Sequence, residues 1–159
     1  MDAQLGQAYH SATAKPPPEV IAEDFFVYNI EFTGLARAGL PGSVQTGFIQ
    51  IEAESDFLIQ KLAYFALAST ASLVEQGNQV YPSVVVTLTD TGSGREFMDS
   101  PLELTSFFGS GVLPYIIPTP KLFVKNSRIK LLVENINTRF GSLQILSVNL
   151  HGKKIFTAG

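Results

Sequence analysis

The chain has 159 residues, 45% of them hydrophobic and only 16% charged, with a formal net charge of −3. That length suits one domain around one buried core, and so low a charged share leaves surface better suited to a partner than to water. The absence of cysteine excludes disulfides, thiolate metal sites and cysteine nucleophiles, and the two histidines, His10 and His151, stand in no metal-ligand spacing.

Residues 1–24 read as an extended arm. They hold no periodic apolar pattern, and Pro16–Pro17–Pro18 favours stiff polyproline II backbone. Leu5, Tyr9, Val20 and Ile21 are spaced apolar anchors that a neighbouring subunit could receive, so the expected role is a tether, the alternative being a floppy tail without a role. The rest, 25–159, reads as a single β-sandwich domain.

From Phe25 the pattern changes. Phe26, Tyr28, Ile30 and Phe32 alternate with Val27, Asn29 and Glu31, a period of two that predicts a strand with one apolar face. A glycine-rich loop follows, then a second strand over Val44–Ala53. Residues 56–76 are ambiguous. Leu58, Leu62 and Phe65 keep helical spacing, with Ser55 and Gly77 as possible end signals, yet Phe57, Ile59, Leu62 and Tyr64 also fit strand pairs on either side of Lys61. Val80–Asp90 is the clearest strand, because its branched residues suit a pleated surface. Residues 91–120 read as a long irregular stretch holding short extended pieces. Further strands are predicted over Lys121–Val124, Arg128–Glu134 and Leu143–His151, with a short extended piece after Gly152. Seven to nine spaced strands without βαβ alternation predict an all-β sandwich or barrel.

Motifs of chemistry are missing. Thr91–Gly92–Ser93–Gly94–Arg95 lacks the lysine and hydroxyl of a phosphate loop and reads as a turn closed by Asp90. Glu52 and Glu54 read as a solvated strand face, and His151 as a surface or hydrogen-bonded residue at a strand end. No catalytic, cofactor or metal residue is expected. The longest apolar run, Leu62–Val74, is shorter than the roughly 20 residues a spanning helix needs, and no secretory-type leader is visible, so a soluble chain without membrane contact is expected. The last third, 121–159, carries seven bases against Glu134 alone. They are spread over separate strands and turns without aromatic interleaving, which favours a solvated face or an acidic partner over nucleic acid. The departure from the ordinary is the loop holding Phe107, Phe108, Pro114, Tyr115 and Ile116. Its bulky side chains either close the mouth of the sandwich or meet another subunit.

Several segments, in order, carry a likeness. They are Phe25–Thr33, Ala53–Glu54–Ser55–Asp56–Phe57 with the following LIQKLAYFA, and Val86 to Arg95 (VTLTDTGSGR). Then come Leu113–Pro114–Tyr115–Ile116–Ile117–Pro118, Lys125–Asn126–Ser127–Arg128–Ile129 and Leu150 to Phe156 (LHGKKIF). Over residues 25–156 the chain resembles the tailed-bacteriophage virion structural proteins, with capsid decoration or cement proteins of jelly-roll fold among the relatives. The resemblance implies a jelly-roll β-sandwich, a strand rather than a helix over 56–66, and no catalytic residues. It also implies homo-oligomers bound to the major capsid protein or other virion subunits, in a particle assembled in the bacterial host cytoplasm. A collar, neck or tail component is the alternative within the particle. A carbohydrate-binding module is a further one, against which the absence of tryptophan counts.

Overall fold

The period-two segments become strands of two antiparallel sheets. The computed structural model describes residues 16–68, 82–138 and 142–158. In chain order they form β1 (Val20–Leu35), β2 (Val44–Gln50), β3 (Asp56–Ala68), β4 (Val84–Asp90), β5 (Arg95–Glu96), β6 (Leu102–Glu103), the one-turn helix α1 (Leu104–Phe107), β7 (Tyr115–Phe123), β8 (Arg128–Asn135) and β9 (Leu143–Thr157). One sheet runs β1-β9-β3-β7. The other runs β2-β8-β4-β5, with β6 also on β4. Pairing is nested: β1 with β9, β2 with β8, β3 with β7, β4 with β5 and β6. A long hairpin rolled over two sheets gives this order, and it is the jelly-roll sandwich.

The inner faces supply the core. Phe32, Phe57, Ile59, Leu62, Tyr64, Leu146, Val148 and Leu150 come from the first sheet, and Ile49, Val86, Leu88, Ile129, Leu131 and Val133 from the second. The ambiguous segment after Asp56 is strand. Its mixed periodicity has a local cause, a β-bulge at Gln60, where Ile59 pairs with Gly152 and Lys61 with His151. One extra residue reverses which parity faces inward, so Phe57 and Ile59 point to the core before the bulge and Leu62, Tyr64 and Ala66 after it. The part of this segment from residue 69 on lies outside the described residues.

Several boundaries differ from expectation: β2 stops at Gln50 rather than Ala53, β4 opens at Val84 rather than Val80, and β1, β7 and β9 differ too. β1 opens at Val20, not Phe25, so Val20–Asp24 belong to the sheet rather than to an arm. Val20 pairs with Thr157, and the Ala158 N–H donates to the Glu19 carbonyl at 2.9 Å, a partnership composition does not reveal. β7 begins at Tyr115 and runs through Pro118 and Pro120. It is an edge strand, where a missing N–H is tolerated, and its pairing with β3 jumps from Lys121 opposite Ile59 to Ile116 opposite Lys61. β9 passes unbroken through Gly152, which is buried against β3 instead of ending a strand.

Two turns are closed as their residue types suggest. Asp90 Oδ1 accepts from the Gly92 N–H at 2.9 Å and Oδ2 from the Ser93 hydroxyl at 2.7 Å, while Gly94 takes φ 67°. At the β7–β8 turn Asn126 has φ 64°, and Asp56 Oδ1 holds the Lys125 N–H at 2.8 Å.

Candidate assembly surface and edge cleft

The loop between α1 and β7 is stitched to β3. The Gly109 N–H donates to the Leu62 carbonyl at 3.1 Å, and the Tyr64 N–H donates to the Gly109 carbonyl at 2.9 Å. Gly109 also crosses closely under the returning chain, where a Cβ would lie 2.1 Å from the Leu113 carbonyl oxygen. This docking turns Phe108 inward. Its ring is 2% exposed, which removes it from the expected interface and places it in the core. Phe107 is half-buried over the same core, edge-on to Phe108 at 5.5 Å and 5.4 Å from the ring of Tyr115. Pro114 and Tyr115 are half-buried as well. Of the five loop residues expected at a contact, Ile116 alone stands well clear of the fold, 66% exposed. Val112 and Leu113, at the loop tip, are more exposed still and were not singled out. Their position between Gly111 and Pro114 was the available signal.

Ile116 belongs to a larger surface. On the outward face of the β1-β9-β3-β7 sheet, register lines up Phe25, Lys153, Leu58 and Leu122 in one row and Val27, His151, Lys61 and Ile116 in the next. Farther along lie Phe65 beside Ser147 and Leu67 beside Ile145. Phe25 is 74% exposed, Leu122 51% and Phe65 43%. The opposite sheet presents a mixed face, with Thr46, Gln50, Arg128, Lys130, Thr87 and Thr89 around one exposed ring, Phe48, which the Arg128 guanidinium covers at 5.3 Å. Both outer faces mix polar and apolar residues, and on the first sheet the exposed apolar side chains stand among Glu23, Asn29, Glu31, Lys61 and Lys153. Several large apolar side chains exposed on one face are a mark of a contact surface. Val20 and Ile21, also expected contacts, are exposed at the start of β1. Leu5 and Tyr9 lie outside the described residues.

His151 sits mid-strand on the outer face of the first sheet, with its ring 6.4 Å from that of Phe25. Burial lowers its pKa from the ordinary 6.5, and the Lys61 ammonium lowers it further. The folded chain then binds fewer protons than the unfolded chain between the two pKa values, so stability rises with pH in that window. The contribution is full above about 6.5 and is lost as pH falls through the folded pKa. An NMR titration of the His151 ring should give a midpoint below 6.5 that moves up in Lys61→Met. A midpoint at or above 6.5 would contradict this environment.

The basic residues of the last third are dispersed. Lys153 meets Glu23 at 3.3 Å. Lys154 meets Glu52 at 2.6 Å and lies 3.6 Å over the ring of Phe26. Glu52 and Glu54 lie beyond the end of β2 rather than along a strand. Among the described residues no group of three or more metal-ligating side chains converges, and no helix is long and apolar enough to cross a membrane. A cleft of about 470 Å³ lies at the sandwich edge, between the β4–β5 turn and β7, bordered by Asp90, Ser93, Arg95, Phe97 and Lys121.

No family model matches the chain, and no curated protein matches it by sequence. Among solved structures it is similar to dimeric latent PorU from Porphyromonas gingivalis, with 10% identity and a TM-score of 0.28 over 87% of this chain. The match spans 14% of the length of that protein.

Proposed function

We propose that this chain is a structural subunit of a bacteriophage particle, a head decoration or cement protein that lies on the capsid shell and ties its subunits together. The observation that carries the reading is the set of large apolar side chains left open to solvent on the outer face of the β1-β9-β3-β7 sheet, Phe25, Leu122, Ile116 and Phe65. A chain with 16% charged residues that leaves this face uncovered is built to be covered. The jelly roll supports the reading, since capsid domains use it, although lectin domains and cupins do too. The resemblance of residues 25–156 to phage virion proteins supplies the remaining weight. The partners are the major capsid protein or other virion subunits, together with further copies of this chain, and the location is the virion.

The test combines a particle map with a surface variant. Phe25→Ser, Ile116→Ser and Leu122→Ser together should leave the melting temperature of the free chain nearly unchanged, because exposed substitutions are usually within about 0.5 kcal/mol each. Occupancy on the shell should fall at least about tenfold, the loss of one well-packed contact worth roughly 1.4 kcal/mol. Wild-type occupancy by the triple variant would overturn the reading. Density at a collar or tail in a cryo-EM map of the particle would move the subunit there. Glycan binding by the free chain, with no density anywhere on the particle, would replace the reading with a carbohydrate-binding module.

A further inference from the structure

We propose that the edge cleft is a binding site for a carboxylate that carries a short branched alkyl group. The site follows from how β7 is built. Between Lys121 and Ile116 the strand leaves its ladder with β3, and Pro118 and Pro120 fall in that detour. Beneath it, at the open side of the sandwich, lies an apolar chamber of about 100 Å³ walled by Ile59, Leu62, Leu88, Phe107 and Ile117. Phe97 and Lys121 border both this chamber and the larger cleft, so the two spaces adjoin.

The chemistry of the two spaces differs. The larger cleft holds two cations, Arg95 and Lys121, and one carboxylate, Asp90. Asp90 is engaged on both oxygens by its own turn, through the Gly92 N–H and the Ser93 hydroxyl. Among the described residues neither cation forms an ion pair, although Arg95 stands opposite Asp90 in the β4–β5 ladder, and the Lys121 ammonium rests 4.3 Å over the ring of Phe97. A carboxylate entering there finds a planar guanidinium that can bind both its oxygens, with an ammonium in the same cleft. The chamber is lined almost wholly by apolar side chains, and such cavities accept apolar guests: one of about 150 Å³ takes benzene. A chamber of about 100 Å³ suits three or four carbons, the isopropyl or isobutyl group of valine or leucine. A single small ligand can therefore set its charged head in the cleft and its alkyl tail in the chamber across the shared border of Phe97 and Lys121. That fits the C-terminal residue of a partner chain, and equally a free branched-chain acid. The proposal stands apart from the virion reading and survives its failure.

The experiment is an NMR titration of the full ¹⁵N-labelled chain with N-acetyl-L-leucine at pH 7. Saturable shifts of the amides of Arg95, Phe97 and Lys121, with a millimolar Kd, are expected. N-acetyl-L-leucinamide, which lacks the charge, and N-acetylglycine, which lacks the alkyl group, should bind at least tenfold more weakly. Arg95→Gln with Lys121→Gln, both at exposed positions, should weaken N-acetyl-L-leucine at least tenfold with an unchanged melting temperature. Absence of saturable shifts overturns the site, and so does equal binding of the amide. An acetylated Gly-Ser-Gly-Leu peptide with a free carboxylate identifies the source. Binding tenfold tighter than N-acetyl-L-leucine supports a chain terminus, and equal binding supports a small acid.

Discussion

Phe108→Ala should destabilise the isolated chain by about 3–5 kcal/mol, as expected when a buried phenylalanine is truncated. For a domain of this size that is a fall in melting temperature of roughly 6–20 °C. The ring is 2% exposed, and the backbone on either side of it is fixed. The Phe108 N–H donates to the Leu104 carbonyl at 2.8 Å, and Gly109 is hydrogen-bonded to both Leu62 and Tyr64. The loop therefore has little freedom to collapse into the space the ring leaves, and the cavity cost adds to the lost burial. Ile116→Ala, eight residues on, should change stability by no more than about 0.5 kcal/mol, because that side chain faces solvent on the outer sheet. Calorimetry of the two single variants decides the matter. If Phe108→Ala melts within a degree or two of wild type while Ile116→Ala melts much earlier, the loop is docked the other way round and the division between core and contact surface proposed above is wrong.

That division marks where reading by residue type stops. Alternation along Phe26, Tyr28, Ile30 and Phe32 was enough to find β1, and it also implied that Phe25 faces the other way, onto what proves to be the outer face of the sheet. Alternation likewise sets Val86 and Leu88 on one face of β4, and Ile129, Leu131 and Val133 on one face of β8; that the two faces share one core layer is decided by the fold, where they are buried together. Pattern failed where a second chain segment decides the outcome. The bulge at Gln60 mixes two parities and imitates helical spacing, and only pairing with β9 distinguishes them. Pro118 and Pro120 argue against a strand until β7 is known to be an edge. Phe107 and Phe108 are neighbours of one type, yet the hydrogen bonds of Gly109 to β3 bury one and leave the other partly open. Leu122 and Phe65 were invisible as surface residues for the same reason. Their exposure depends on which face of β3 and β7 is covered by the second sheet. The edge cleft depends on β4, β5 and β7 meeting in space, and no local motif announces it.

Gly152→Ala should be severely damaging, costing about 3 kcal/mol or more, the upper range for forcing atoms into a filled core. The corresponding fall in melting temperature is roughly 6–12 °C. A Cβ at Gly152 would sit 2.0 Å from the Leu58 carbonyl oxygen and 2.9 Å from the ring of Phe57. Neither neighbour can yield easily. Leu58 is paired on both sides, with Lys153 of β9 and Leu122 of β7, and Phe57 is fully buried with its ring edge-on to Tyr28 at 4.8 Å. β3 approaches β9 closely here, beside the bulge, so glycine is what allows β9 to run through without a break. Two other glycines calibrate the effect. At Gly111 a methyl meets nothing within 4 Å and should be nearly neutral. At Gly47 it meets the Ile30 Cδ1 at 2.2 Å, the far end of a flexible side chain that can rotate away, so the cost should be intermediate. Urea unfolding of the three alanine variants should order them Gly111, Gly47, Gly152 from mildest to most severe. A Gly152→Ala variant as stable as Gly111→Ala would mean that β3 and β9 do not approach each other this closely, and the register that aligns the exposed apolar side chains would fall with it.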